Sequence, residues 1–565
     1  MNSVNEKIFT IILKKLSGYE GFIIGIFIFN YLSVGWSLWQ TNNFLVMLLE
    51  ALFLFAAILA FTLLLAAVPC RCIRKILGSL IFYISGALCL AELFSIYTYN
   101  AVVGPGIITA LLETNSNEAS EFFKMYINWS WLLYWLFFFT AAYLLKKKAF
   151  FQSGFFAKHR RGSFVPVFLL ISGITAGFSL LLCYKPLILS NLLDIPAVRV
   201  YAAAQTAISN IRTYQNLDQE MSATDDIIGN NSTIPNIVFI LGEATNRNHM
   251  HLYGYSLPDT PNLDELRAKN ELAVFTDCIS PHATTVGVLR ELFTFCNYEA
   301  DKPWYEYNNL IDVMNAAGYK TNWLSNQESS GIWGNVALLY AKRSAFHEFT
   351  SMRESHEDYG TLDEDLFPLL DTAMKNSAGK NFYVLHLMGG HSLYYKRFPY
   401  AFSKFGREDI VRDADDDKKT VLAQYANALY YNDYIVSGII DKFRSLNAIV
   451  IYLPDHGETV YDDNSGFSGH VEENPNHYML EVPMIMWASD EFKRTYPQKW
   501  ASVTAAIDRP YMTDDMIHTI LDIADIKTTE YEPERSIINV EFDASRQRMV
   551  QGRNYDTQIR SEAAR

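Results

Sequence analysis

Cysteine is scarce in this chain, with six residues in 565. Cys70, Cys72, Cys89 and Cys183 lie in or beside apolar stretches. Only Cys278 and Cys296 fall in the globular half, too few for a disulfide-rich scaffold. Positive charge is also short. Against 61 Asp and Glu there are 47 Lys and Arg, and the net charge of −14 is carried mainly by the second half. An acidic exterior argues against nucleic-acid binding as the main task. Internal repeats and low-complexity tracts are missing, which excludes a repeat architecture.

Apolar sequence is abundant and unevenly spread. Hydrophobic residues make up 50% of the chain, concentrated between positions 20 and 185, and the length exceeds one ordinary core. Five apolar runs, near 20–38, 44–68, 76–98, 128–145 and 165–184, approach the roughly 20 helical residues that a bilayer requires. Trp129, Trp131, Tyr134 and Trp135 are interface anchors for the short fourth run. Basic residues cluster before the first run (Lys7, Lys14, Lys15), between the second and third (Arg71, Arg74, Lys75) and between the fourth and fifth (Lys146 to Lys148, Lys158, Arg160, Arg161). These loops face the cytoplasm by the positive-inside rule, so an odd number of spans leaves everything after Tyr184 outside. The first run reads as a span rather than a cleaved signal peptide, because no small-residue cleavage site follows it and four more spans do. The runs lack the mid-depth charge pairs and Gly/Pro-broken helices of a transporter. Glu50 and Glu92 each lie about six residues inside the outer end of a span, roughly 9 Å deep. Such acids either snorkel and pair with nearby Tyr or Trp, or hold the cationic head group of a lipid substrate.

Residues 186–233 read as a bridging helix and linker, and 234–565 as a globular outer domain. Runs 236–242, 382–389, 448–453 and 483–488 are continuous apolar stretches, with a weaker one at 320–324. Helical segments lie between them, near 306–317, 419–445 and 513–525. The expected fold is a five-helix transmembrane domain followed by an α/β sandwich on a parallel sheet. In such sheets sites form at the carboxyl ends of the strands. There the runs deliver Glu243, then Gly390-His391, then Asp455-His456-Gly457-Glu458. A Glu, an Asp and a His suit Zn²⁺, with Mn²⁺ as the alternative, and the lack of thiolates points to an open catalytic site. The pair Thr284-Thr285, opening a helix-like stretch, offers a hydroxyl nucleophile; the plain reading of the same pair is an N-cap.

At these residues the sequence resembles the phosphoethanolamine transferases of Gram-negative inner membranes, within the alkaline phosphatase/sulfatase superfamily. The resemblance covers nearly the whole chain. It rests on GEATNRNHMHLYGY (242–255) with TPNL (260–263), the Thr-Thr segment, HLMGGHSLYYKRFP (386–399), and PDHGET (454–459) followed by His470. It implies an alkaline phosphatase/sulfatase-type domain in the periplasm of a multi-pass inner-membrane protein. Phosphatidylethanolamine would be the donor, and lipopolysaccharide core, lipid A or periplasmic glucan the acceptor. It implies one catalytic zinc on Glu243, Asp455, His456 and the nucleophile Thr285, chosen over Thr284 because Thr294 matches the family spacing. His391 and His470 would contact the transferred phosphate or a second zinc, Glu458 would lie near the metal, and Asn326 and Gln327 would line the substrate site. Cys278 and Cys296 bracket Thr285 as a family disulfide does. The chain departs from the lipid A branch in its few cysteines and in Arg290-Glu291 where that branch has Pro-Cys. It therefore leans towards the branch that modifies core sugars or glucans. The competing readings are a phosphoglycerol transferase of the same superfamily and a non-catalytic membrane sensor with a decayed domain. A sulfatase activity is disfavoured, because no Cys or Ser lies in a C/S-x-P-x-R arrangement.

Overall fold

The computed structural model describes residues 19–40, 44–99, 101–113, 196–220, 226–327, 336–350, 361–463 and 466–562, together with Leu16 and isolated positions between 119 and 143. The chain forms two compact units, one of Met1–Leu111 with Phe122–Ile208, the other of Leu112–Glu121 with Ser209–Arg565.

The first unit contains helices α1 (Glu20–Gln40), α2 (Phe44–Ala67), α3 (Arg71–Tyr99) and α4 (Pro105–Glu113), followed by α5 (Pro196–Glu220), whose first half belongs here. The first three overlap the apolar runs near 20–38, 44–68 and 76–98, with α3 starting five residues ahead of its run. The fifth expected span, and all but isolated positions of the fourth, lie outside the described residues. Helix α3, at 29 residues, is long and apolar enough to cross a membrane. Phe22, Ile26, Phe29, Leu54, Ile58 and Phe82 pack between α1, α2 and α3. Gly25 makes room for Phe82, since a Cβ there would meet the Phe82 ring at 2.5 Å.

Glu92 is fully buried on α3, and it is already paired. Arg199 Nη2 lies 2.8 Å from its carboxylate, and the Val103 N–H donates to it at 3.4 Å. The expectation that Glu92 holds a lipid head group is therefore corrected, because its charge is neutralised by a guanidinium from α5. The Glu50 side chain lies outside the described residues.

The second unit is built on a seven-stranded sheet. Its strands, in chain order, are β1 (Asn236–Gly242), β2 (Leu272–Phe275), β3 (Lys320–Ser325), β4 (Phe346–Phe349), β5 (Asn381–His386), β6 (Ala448–Pro454) and β7 (Met484–Ala488). Across the sheet the order is β2-β7-β6-β1-β5-β3-β4. The central strand β1 is parallel to both β5 and β6, whereas β7 runs antiparallel to both β6 and β2. The sheet is mixed, which corrects the expectation of a parallel one. A continuous apolar run reports burial on both faces, and β7 is buried on both whatever its direction.

Alternation along β1 feeds two cores: Ile237, Phe239 and Leu241 face one, and Val238 and Ile240 the other. The first core is closed by helices α6 (Thr285–Leu292) and α8 (Met516–Ala524), the second by the 28-residue helix α7 (Asp416–Phe443). The linker expected to reach residue 233 ends earlier, because Ile227–Asn230 pairs antiparallel with Ile526–Thr528.

Candidate active site

β1 and β6 are adjacent and in register, with Gly242 opposite Pro454, so their carboxyl ends deliver Glu243, Asp455 and His456 to one point. All three side chains are buried. His456 Nε2 lies 3.4 Å from Glu243 Oε1 and 3.4 Å from Asp455 Oδ2. Thr285 Oγ1, in the first turn of α6, completes the cluster at 3.3 and 3.4 Å from the Glu243 oxygens and 3.5 Å from His456 Nε2. Donors about 2.0–2.1 Å from a tetrahedral Zn²⁺ stand about 3.3–3.4 Å from one another, so the observed spacings match the edges of such a tetrahedron.

Two further observations fit a cation. Asp455 Oδ2 is buried without a hydrogen-bond partner. Burial, reinforced by the neighbouring Asp455 carboxylate, holds the Glu243 carboxyl well above its ordinary range, and a bound cation would relieve that repulsion. Among the described residues, His456, Glu458 and His470 form a second group with metal-ligating spacing that shares His456 with the first.

The backbone is shaped around this cluster. Ala244 sits at φ +49, and its N–H donates to Asp455 Oδ1 at 3.1 Å. Gly389, at φ +48, approaches so closely that a Cβ there would meet the Glu243 carbonyl oxygen at 2.6 Å. The Asp363 carboxylate anchors that loop by accepting the Met388 and Gly389 N–H groups at 2.8 and 3.0 Å.

Thr284 and Thr285 point to different partners. Thr284 is the N-cap residue of α6, yet its side chain makes no cap hydrogen bond and its Oγ1 donates to Glu472 at 3.3 Å, away from the cluster. The His470 ring lies 4.1 Å from that of His456 and 6.5 Å from that of His391. Burial opposes charge on His470, but the Glu458 carboxylate 2.7 Å from Nδ1 outweighs it and raises the pKa. His391 is pushed well below its ordinary value by burial and then by Arg397 and the other two histidines.

Gln327 donates to Glu243 Oε2 at 2.9 Å and so touches the cluster itself. Asn326 does not line the site as expected. It is buried, donating to Asp363 at 2.7 Å and accepting from Thr350, so it braces the 388–389 loop from behind. Both Glu458 oxygens are engaged within the protein, by Tyr394 OH at 2.7 Å and by His470. Cys278 and Cys296 are separate buried thiols, and no bridge forms between them. The Cys278 sulfur faces that of Met484 at 3.8 Å, on the edge of the first core. Asp363, Tyr394, Tyr425 and Glu472 escaped the sequence reading. Tyr425, in mid-α7, donates to the Ala244 carbonyl at 2.9 Å and accepts from the Asn246 N–H. Only Tyr394, inside a quoted motif, and Glu472, two residues after His470, carried any local signal.

The Sulfatase family model matches residues 235–526, more than half of the chain, and the chain belongs to that family. It is similar to phosphoethanolamine transferase EptC of Escherichia coli strain K12, with 27% identity over 491 residues that cover 83% of each. The crystal structure of the C-terminal periplasmic domain of EptC from Escherichia coli, in complex with Zn, superposes with a TM-score of 0.55 at 27% identity, covering 60% of this chain and 96% of that one. The fold over 92% of this chain also resembles 98% of the integral membrane protein lipooligosaccharide phosphoethanolamine transferase A from Neisseria meningitidis, with a TM-score of 0.67 at 20% identity. The likeness in sequence thus leans towards the EptC branch rather than the lipid A one.

Proposed function

We propose that this chain is a zinc-dependent transferase in a bacterial inner membrane. It moves phosphoethanolamine from phosphatidylethanolamine to a lipopolysaccharide or other envelope-glycan acceptor through a phospho-threonine intermediate. The observation that carries the reading is the placement of Thr285 Oγ1 within 3.5 Å of both Glu243 and His456, at the start of a helix. The domain plan is five spans within 1–185, a bridging helix, and a periplasmic catalytic domain over the rest, so that enzyme and lipid donor share one membrane surface.

Glu243, Asp455, His456 and Thr285 would hold one Zn²⁺, with Glu458 beside it orienting the His470 ring. A bound zinc supplies Lewis-acid stabilisation of phosphoryl charge and lowers the pKa of a hydroxyl beside it. In the first half-reaction Thr285 Oγ attacks phosphorus and gives up its proton. The bond to the diacylglycerol oxygen breaks, and that oxygen takes a proton. In the second, an acceptor hydroxyl gives up its proton and attacks the same phosphorus, the bond from phosphorus to Thr285 Oγ breaks, and Oγ takes a proton. His391 and His470, close to the cluster, hydrogen-bond the phosphoryl group and carry the protons. Gln327 holds the Glu243 carboxylate in place. Membership of the Sulfatase family describes the fold, while the threonine nucleophile sets the chemistry apart from sulfate-ester hydrolysis.

The test is the intact mass of detergent-purified protein incubated with phosphatidylethanolamine and zinc, followed by peptide mapping. A phosphoethanolamine adduct on Thr285 that is absent in Thr285→Ala and Asp455→Asn is the expected result. A phosphoglycerol adduct formed from phosphatidylglycerol would assign the rival donor. Zinc-loaded protein that forms no adduct with either lipid refutes the covalent mechanism.

A further inference from the structure

Glu472 sits two residues beyond His470, in a segment that touches the loop leading to Thr285. Its side chain is only 12% exposed. Its carboxylate contacts serve that loop, the ring beside it and Gln551. Oε2 accepts the Ala283 N–H at 2.9 Å and the Thr284 hydroxyl at 3.3 Å, while Oε1 pairs with His282 Nδ1 at 2.6 Å and accepts from Gln551. The far side of the imidazole is used as well, with His282 Nε2 3.2 Å from Glu291 Oε1 in the last turn of α6. The ring packs against the first turn of α6, where Gly287 makes room for it; a Cβ at that position would meet the ring at 2.7 Å. The chain Glu472–His282–Glu291 therefore clamps an eight-residue helix along its length, from a segment that also carries His470.

At its N-terminus helix α6 lacks a side-chain cap of its own. Thr284, its N-cap residue, gives its hydroxyl to Glu472 rather than to the helix. The loop 282–284 thus shares in setting the orientation of the first turn, and with it of Thr285 Oγ1, with the packing of Val288, Leu289 and Leu292 in the first core. Glu243, Asp455 and His456 come from β1 and β6 and do not depend on it.

We propose that Glu472, acting through His282, is the positioning residue for Thr285, holding its hydroxyl over the Glu243–Asp455–His456 cluster; the inference rests on the phospho-threonine reading given above. A group that only orients the nucleophile leaves the other three metal ligands and donor binding intact and lowers the chemical step. Misplacement by about 1 Å costs about 100-fold in rate, so displacement by a fraction of that gives a loss of roughly tenfold.

The test uses the full-length chain in detergent, loaded with Co²⁺ for visible spectroscopy and with Zn²⁺ for turnover of labelled phosphatidylethanolamine. Thr285→Ala serves as the spectral reference. Glu472→Ala is expected to bind Co²⁺ with unchanged stoichiometry, to shift the spectrum towards that of Thr285→Ala, and to lower kcat at least tenfold while KM stays within twofold. Glu472→Gln, which keeps an acceptor for the Ala283 N–H, is expected to recover kcat to within about threefold of the parent. His282→Gln severs the same clamp from its other side and is expected to show the same kcat loss, which covers the case in which Glu472→Ala does not fold. Parental spectrum and kcat in folded Glu472→Ala, or in His282→Gln if the first is unstable, overturn this inference alone. A Thr285→Ala protein with an unaltered Co²⁺ spectrum and a parent that forms no adduct overturn the phospho-threonine reading and this inference with it.

Discussion

Gly389→Ala is the smallest change that should damage the cluster without touching a ligand. A Cβ at this position would lie 2.6 Å from the Glu243 carbonyl oxygen and 3.0 Å from its nitrogen, both backbone atoms of the residue that carries the carboxylate. Carbon and carbonyl oxygen rest at about 3.3 Å, so the overlap is roughly 0.7 Å. Rotation of a flexible side chain cannot relieve it, and the Gly390 N–H already holds the Glu243 carbonyl at 2.9 Å. Either the 388–390 loop or Glu243 must move. The left-handed φ of +48 adds strain of about 1–2 kcal/mol for any residue with a Cβ. Indirect disturbance of a metal ligand typically costs about 10–100-fold in affinity, and a shift of about half an ångström in a reacting constellation costs roughly tenfold in rate. Gly389→Ala is therefore expected to bind zinc about tenfold more weakly in a chelator competition and to turn over at least about tenfold more slowly. The control is Gly318→Ala, which has φ +83 but nothing nearer its Cβ than Lys380 Nζ at 3.7 Å. It should lose about 1 kcal/mol of stability and keep its turnover. Parental zinc affinity and turnover in folded Gly389→Ala would refute the argument from close approach.

Thr284→Ala, assayed for adduct formation, should retain labelling of Thr285 within about threefold, because it loses one long hydrogen bond to Glu472; abolition of labelling would reassign the nucleophile. Glu92→Gln removes the carboxylate 2.8 Å from the Arg199 guanidinium and should cost about 3 kcal/mol in detergent thermal unfolding, with donor KM unchanged; a raised KM at parental stability would restore the head-group role for Glu92. His518 accepts the Glu532 N–H on Nδ1, and burial, aided by Arg535 and Arg546, lowers its pKa to about 3. Its contribution to stability is full above pH 6.5 and is lost as pH falls towards 3, at about 1.4 kcal/mol per pH unit in that window. His518→Gln should flatten that acid limb in denaturation curves taken between pH 6.5 and 4, and an unchanged slope would show that another group controls it.

Some of this molecule was legible from local sequence, for identifiable reasons. The apolar runs of β1, β5 and β6 end abruptly in polar, chemistry-bearing residues, and a strand's carboxyl end is a local property. Glu243, Asp455 and His456 could therefore be picked out before any packing was known, and the register of β1 with β6 brings them together. The approximate positions of α1, α2 and α3 were visible as apolar stretches, although α3 starts at Arg71, ahead of the expected run at 76–98. Other features depend on partners far away in the chain. Thr284 and Thr285 look alike in sequence and differ only because α6 turns one hydroxyl to Glu243, 42 residues back, and the other to Glu472, 188 residues on. Asn326 and Gln327 are neighbours just past the end of β3, yet one turns to Asp363 and the other to Glu243. The direction of β7, the separation of the Cys278 and Cys296 thiols, and the pairing of Glu92 with Arg199 were likewise decided by packing. Periodicity and composition report how deeply a residue is buried and where an element stops. Which distant side chain meets it there is set by register and close packing, and only the tertiary structure contains those.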